Sequence, residues 1–232
     1  MAEFSMPVQQ ARARSRQQKI LRAAASVISR RGYQEAGIEE IAREAETSKG
    51  GVYFHFPGKE SILLALLDHT SGLVRGKVEQ AIAAESDPVA KADAALRVLL
   101  RTLAKHRSLA RVFAVEAAGA GPQFNARVAE IQDEFVALVR EQLDAAVATG
   151  AIVPMDTAIV AQAWMGALDA VLLRYVTSRP GPGRRSLDEI HETLRATLLR
   201  SIGAPVPGAA VSVAGGSPRP TNSIETNGLE RR

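Results

Sequence analysis

Apolar residues recur at spacings of three and four along most of this chain, which is the period of helices packed on a core. Ile20, Ala24, Val27 and Ile28 mark a first helix expected from near Ser15 to Gly32, with its arginines largely outside. Ile38, Ile41, Ala42 and Ala45 share one face of a second, shorter helix. Past the break at Pro57-Gly58, a longer helix from Lys59 to about Val78 carries Ile62, Leu63, Leu66, Leu67 and Val74. Pro88 suits the first turn of a helix that runs to about His106, with Leu96, Leu99, Leu100 and Leu103 apolar. A short helix, Ser108 to Ala118, precedes an interruption at Gly119 to Gly121. Pro122 then opens a long helix to Thr149, ended by Gly150. Asp156 caps an eighth helix to about Ser178, which the run from Arg179 to Gly183 forbids from continuing. Ser186 and Glu189 form a capping box for the ninth, ending at Gly203. The Pro- and Gly-rich remainder has no sustained period and the composition of a disordered tail.

The segment Ala36 to Lys59, AGIEEIAREAETSKGGVYFHFPGK, reads as two short helices about a tight turn at Glu46-Thr47, a helix-turn-helix. Ser48 can cap the second helix by accepting from its free backbone N–H groups. Gly50 and Gly51 cost roughly 1 kcal/mol each relative to alanine in a helix, so something other than helix propensity favours small residues there. Close approach to DNA would do so. The second helix of such a unit enters the major groove, and Thr47, Ser48, Lys49, Gly50 and Gly51 would face it, with Lys49 able to donate to guanine O6 or N7.

The run from Ile20 through KGGVYFHFPGKESIL resembles the DNA-binding domain of TetR-family transcriptional regulators over Arg16 to about Leu67. Its markers are Gly32-Tyr33, Ile41-Ala42, Tyr53, Phe56 and Lys59. The resemblance implies phosphate contacts by Tyr53, His55 and Lys59, the last also favoured by the helix dipole. The alternatives are a core aromatic whose hydroxyl reaches the surface for Tyr53 and an ordinary surface histidine for His55; Phe56 reads as core. Three positions depart from the family: Ala36 and Gly37 lack the usual hydroxyl, and Glu46 stands where glycine is frequent. Fewer phosphate contacts at the second helix, not a different fold, are expected.

Of the 232 residues, 46% are hydrophobic and 23% charged, but only 4% are aromatic, so the core must be built from Ala, Leu, Val and Ile. That palette favours an all-α fold. The net charge of +4 suggests a polyanion partner less strongly than its distribution does. Arg12, Arg14, Arg16, Lys19, Arg22, Arg30 and Arg31 lie in one run without an acidic residue, directly before the helix-turn-helix. They read as phosphate contacts, Arg16 and Lys19 foremost, with a solvated helix face as the alternative. The absence of cysteine excludes disulfide and thiolate chemistry. No apolar stretch of signal-peptide length opens the chain, so a cytoplasmic protein is expected. Ala158 to Val176 approaches membrane-spanning length but is interrupted by Gln162, Asp169 and Arg174, and reads as a buried interface helix.

The expected division is a disordered basic arm at 1–14, a helix-turn-helix domain at 15–57, a helical effector-binding and dimerisation domain at 58–203 and a disordered tail at 204–232. One recognition helix reads too few base pairs, and a two-fold dimer with half-sites ~34–36 Å apart solves this. Ala163, Gly166, Ala167 and Ala170 form a small-residue stripe suited to close helix approach, and Leu187, Ile190, Leu194 and Leu198 share a face of the ninth helix. Intramolecular core is the alternative, whereas the family pairs its last two helices with their mates. Candidate effector-lining residues are Leu99, Leu103, Phe113, Phe124, Phe135, Trp164, Leu168 and Val171, each with core packing as its alternative. The reading is a ligand-responsive repressor, a homodimer on a palindromic operator, released by a small apolar effector, acyl-chain-like by extrapolation. No cofactor, metal or membrane is called for. An architectural DNA-binding protein is the competing reading. A helical enzyme is a weaker one, because His55, His69, His106 and His191 are scattered and no HExxH, GxSxG or GxxxxGK[ST] motif occurs.

Overall fold

A computed structural model describes residues 6–117, 119–178 and 185–204. Its elements are α1 (Met6–Arg31), α2 (Ile38–Glu44), α3 (Lys49–His55), α4 (Lys59–Ala83), α5 (Pro88–Lys105), α6 (Arg107–Arg111) running into a π-helical turn (Val112–Glu116), α7 (Pro122–Ala148), α8 (Thr157–Thr177) and α9 (Leu187–Ser201). No strand occurs among the described residues, so the all-α class holds.

The expected helix starts coincide with side-chain caps. Ser48 Oγ accepts from Gly51 N at 3.0 Å, Asp87 from Ala90 N at 2.8 Å and Asp156 from Ile159 N at 3.1 Å. At α9 the reciprocal box is complete: Glu189 N donates to Ser186 Oγ, and Ser186 N to Glu189 Oε2 at 2.6 Å. Helix α2 begins after Gly37 without a side-chain cap, as its missing hydroxyl implies. Gly32, at φ +85°, takes the left-handed turn that ends α1.

Two local expectations are corrected. Helix α1 begins at Met6, not near Ser15, so residues 6–14 of the expected arm are helical. Residues 11–19 are exposed; this extension follows from helix-favouring Gln, Ala and Arg rather than from a buried stripe. The short helix expected at Ser108 to Ala118 becomes α6 followed by a π-turn. Residues 1–5, the 179–183 stop and the tail from 205 lie outside the described residues. Ala204, placed at the start of that tail, is buried and donates to Leu199 O at 3.0 Å.

One core joins Ile20, Val27 and Ile28 of α1, Ile41 of α2, Val52 of α3 and Ile62, Leu63, Leu66 and Leu67 of α4. It continues into Leu109, Val112, Phe124 and Ile131, so packing is unbroken past Pro57. Each of the fully buried aliphatic side chains contributes roughly 1.5–3 kcal/mol. A second core joins Leu96, Leu100, Leu143, Trp164, Leu194, Leu198 and Leu199, and a smaller one joins Val74, Val78, Leu103 and Val176. Helix α4 therefore has its first half in the N-terminal core and its second half against α5.

Candidate nucleic-acid interface and ligand cavity

Val52 on α3 and Ile41 on α2 are fully buried, which fixes α3 against the core and turns its other face outward. Thr47, Ser48, Lys49 and Gly50 are exposed together there, and Gly51 is half-buried. Tyr53 is 46% exposed, so it is not the core aromatic of the alternative reading, whereas Phe56 is buried as expected. Phe54, to which no role was given, is 81% exposed and stands edge-to-face with His55, ring centroids 5.1 Å apart. An aromatic at this exposure cannot be core, but periodicity alone could not separate it from its neighbours.

The cations of this face have partners. Lys49 Nζ lies 2.6 Å from Glu39 Oε1, which raises the lysine pKa and lowers that of the glutamate, each first through the hydrogen bond. Lys19 pairs with Glu46, tying α1 to the turn; Glu46 itself holds a left-handed φ of +50°. Lys59 Nζ donates to Gln34 O at 2.8 Å and sits 4.7 Å over the Tyr33 ring. Arg30 and Arg31 are braces for α2 as well as members of the basic run. Arg30 forks onto Glu44 at 2.8 and 3.1 Å, Ser26 Oγ donates to the same carboxylate, and Arg31 Nε donates to Glu40 at 3.0 Å. The hydrogen bonds from Arg30 and Ser26 lower the Glu44 pKa to about 2. Arg12, Arg14, Arg16 and Arg22 are not in an ion pair among the described residues, and all four are exposed on α1.

Behind this unit, α4, α5, α7, α8 and α9 surround a cavity of about 170 Å³. Of the residues expected to line it, Leu99, Leu103, Phe113, Phe135, Trp164 and Leu168 do. Phe124 does not: it is fully buried in the N-terminal core, edge-on to Tyr33 at 5.4 Å. Val171 does not either, and packs against the second core. Val74 and Val78 from α4, with Leu96 and Leu100 from α5, complete the apolar wall and were missed because their spacing is that of any core stripe. Polar groups enter at separate places: Thr70 and Ser71 on α4, Gln132, Gln142 and Asp169 on α7 and α8, and Lys91, Asp93 and Arg195 on α5 and α9. Asp93 lies 2.9 Å from Arg195 Nε, 3.0 Å from His191 Nε2 and 3.1 Å from Arg97.

A family model described as bacterial regulatory proteins, tetR family, matches residues 20–66, and one described as tetracyclin repressor-like, C-terminal domain, matches residues 85–202. The chain belongs to the TetR family.

Among TetR-family relatives, the fatty acid metabolism regulator protein of Bacillus subtilis is 24% identical over 164 residues, 70% of this chain and 84% of that protein. The A-factor receptor protein of Streptomyces griseus is 44% identical over 70 residues, 30% of this chain and 25% of the receptor. In the relatives matched at 32% identity or more, the aligned stretch spans less than half of their length, from 19% to 44%. The crystal structure of the transcriptional regulator FadR from Bacillus subtilis in complex with stearoyl-CoA superposes with a TM-score of 0.72 at 22% identity, covering 80% of this chain and 98% of that one. The chain accordingly has the TetR-family layout, an N-terminal helix-turn-helix followed by a C-terminal helical domain.

In this TetR-family fold the small-residue stripe of α8 points outward: Ala163, Gly166 and Ala170 are exposed and Ala167 is half-buried. Helix α8 is, among the described residues, long and apolar enough to cross a membrane by length and composition, yet only 17% of its most apolar window is buried within one chain. The expected α9 face divides. Leu187 and Ile190 are half-buried, whereas Leu194 and Leu198 are buried in the second core of the same chain, so the intramolecular alternative applies to those two. No group of residues suited to a metal ion occurs among those described.

Proposed function

We propose that the protein is a ligand-responsive repressor: a homodimer that binds a palindromic operator through α3 and leaves it when an apolar, acyl-chain-like effector enters the cavity. The observation that carries this reading is the apolar cavity walled by Val74 and Val78 of α4, the helix whose first turns also hold the helix-turn-helix core. The stearoyl-CoA held by the similar FadR structure supports an acyl chain as the occupant. For the DNA face, the exposed Thr47, Ser48, Lys49 and Gly50 are read against base edges, with Gly50 and Gly51 at the points of close approach. Arg16, Lys19, Tyr53, His55 and Lys59 are read against phosphate. Lys49 exchanges Glu39 for the DNA, and Lys19 exchanges Glu46. For the dimer, the outer apolar face of α8 is covered by a second copy, with Leu187 and Ile190 of α9 at its margin. Action on chromosomal DNA places the protein in the cytoplasm.

The test is selection of binding sites from a random DNA pool by the purified protein at near-physiological salt, followed by titration of the retained site with acyl-CoA thioesters of graded chain length. The expected results are an inverted repeat of fixed spacing and release by at least one chain length. Retention without a consensus would favour the architectural reading, and a consensus that no thioester releases would remove the acyl-chain effector.

A further inference from the structure

Two carboxylates line the cavity, and their surroundings differ in kind. Asp93 is ringed by Arg97, Arg195 and His191, all within 3.1 Å. Asp169 is in no ion pair among the described residues. Its one hydrogen bond there is from a neutral amide, Gln132 Nε2 to Oδ2 at 2.8 Å, and Oδ1 has none. Both Asp169 and Gln132 line the cavity, next to Leu168, Leu172 and Phe135. A carboxylate placed in an apolar wall without a cation is costly, and packing does not call for it, since Met165, Leu168 and Leu172 of the same helix line the cavity with apolar side chains. Burial, opposed only by the Gln132 hydrogen bond, raises its pKa, in keeping with that cost. Gln132 fixes one oxygen and leaves the other as an acceptor on the cavity wall.

We infer that Asp169, oriented by Gln132, is a polar subsite for the effector, and that it selects apolar ligands carrying a hydrogen-bond donor, a protonated amine above a hydroxyl, over ligands ending in a carboxylate. The inference rests on the cavity being the effector site. The hydrophobic body fills the space between α4, α5 and α8, and the donor meets Asp169 Oδ1. A hydrogen bond to a charged acceptor is stronger than one between neutral groups, and an ammonium adds the missing counter-charge. A carboxylate there meets like charge or must share a proton with Asp169. An acyl chain reaching this point would carry a hydroxyl or amino group, so the subsite narrows the effector class.

The experiment uses the full chain and its single tryptophan, Trp164, which lines the same cavity and donates to Ser201 Oγ at 3.0 Å. Decylamine, decan-1-ol and decanoate, matched in chain length and kept below their micellar concentrations, are titrated at pH 7 against Trp164 fluorescence. The expected order of affinity is amine, then alcohol, then acid. D169N is expected to weaken decylamine by about tenfold or more while narrowing its lead over decanoate. Cooperative thermal unfolding of D169N checks its fold, and the order of the three probes on the unaltered protein needs no variant. Decanoate binding tightest, an unchanged amine-to-acid ratio in D169N, or no Trp164 response to any probe would each overturn the subsite. Operator release is read separately. Asp169-dependent binding without release sustains the subsite and sinks the repressor reading; release by acyl-CoA with amine binding indifferent to D169N does the reverse.

Discussion

On the proposed function, substituting Gly50 by alanine separates folding from DNA recognition, because the two demands would oppose each other at this position. A Cβ there would meet nothing nearer than Ser48 Oγ at 3.9 Å, so the fold accommodates it. Gly50 is the second residue of α3, and alanine is favoured over glycine in a helix interior by roughly 0.8–1 kcal/mol, somewhat less in a first turn. G50A should therefore melt about 2–3 °C higher, given roughly 2–4 °C per kcal/mol for a chain of this size. If Gly50 is kept small so that α3 can lie close to the DNA, the added methyl stands between helix and groove. Operator affinity should then fall by about tenfold or more, equivalent to ~1.4 kcal/mol. Calorimetry and an equilibrium DNA-binding titration with the selected site measure the two effects on one preparation. Gly51 supplies the contrast: a Cβ there would overlap Thr47 Oγ1, so G51A must displace Thr47, and its gain in stability should be smaller. A G50A protein that is more stable and binds its operator with undiminished affinity would refute the close-approach reasoning.

The remaining expectations can be checked on the same material. Replacing Glu46 by glycine removes a left-handed non-glycine residue and also the Lys19 ion pair; the first effect should win, raising the melting temperature by roughly 1–3 °C, and a lower one would mean that the ion pair matters more. Lys59→Ala should weaken binding to all DNA sequences alike and reduce the salt slope by about 1, and should also lower stability through loss of the Gln34 and Tyr33 contacts; an unchanged salt slope would remove Lys59 from the phosphate contacts. Glu44, with its folded pKa lowered to about 2 against an ordinary 4.5, contributes stability that is fully present above about pH 4.5 and is lost as pH falls towards 2. Urea midpoints measured from pH 5 to pH 2.5 should thus fall less steeply in Glu44→Gln, although the exposure of the pair keeps the difference small. Leu168→Trp fills the cavity and should leave operator binding insensitive to acyl-CoA; continued release would place the effector elsewhere.

Helix starts were readable because their signals are local: Ser48, Asp156 and Ser186 lie within three residues of the N–H groups they satisfy, and Pro88 stands in the first turn of α5, whose cap Asp87 the structure adds. The start of α1 was not, since residues 11–19 are exposed and offer no buried stripe to mark the helix there. The cavity was readable in part. Phe124 and Phe135 are both aromatic residues on α7, and only the fold places one against Tyr33 and the other in the cavity wall. Spacing along one helix cannot report which neighbour a residue meets. The same limit hid the cluster of Asp93, His191 and Arg195, whose members come from α5 and α9. It also misassigned Leu194 and Leu198, because an inward and an outward apolar face have the same period.

The connection between cavity and DNA face needs no long chain of residues. Val112 and Phe113 are consecutive in the π-turn, yet the first is buried in the N-terminal core and the second lines the cavity. At the end of that turn, Glu116 Oε2 accepts from Tyr33 N at 3.0 Å, and Tyr33 in turn lies beneath Lys59 and against Phe124. Helix α4 makes the second connection, with Leu66 and Leu67 in the N-terminal core and Val74 and Val78 on the cavity wall. A ligand that reseats Phe113, Val74 or Val78 thus acts on elements that also seat the helix-turn-helix, and π-turns recur at such functional places. The energy required is modest. Tenfold weaker operator binding corresponds to ~1.4 kcal/mol, less than the burial of one leucine contributes, so a change in packing at one or two of these side chains is sufficient. On the proposed function, what the ligand must supply is a difference in affinity between the DNA-competent arrangement and the other, and a cavity wall shared with both connecting elements is where such a difference would arise.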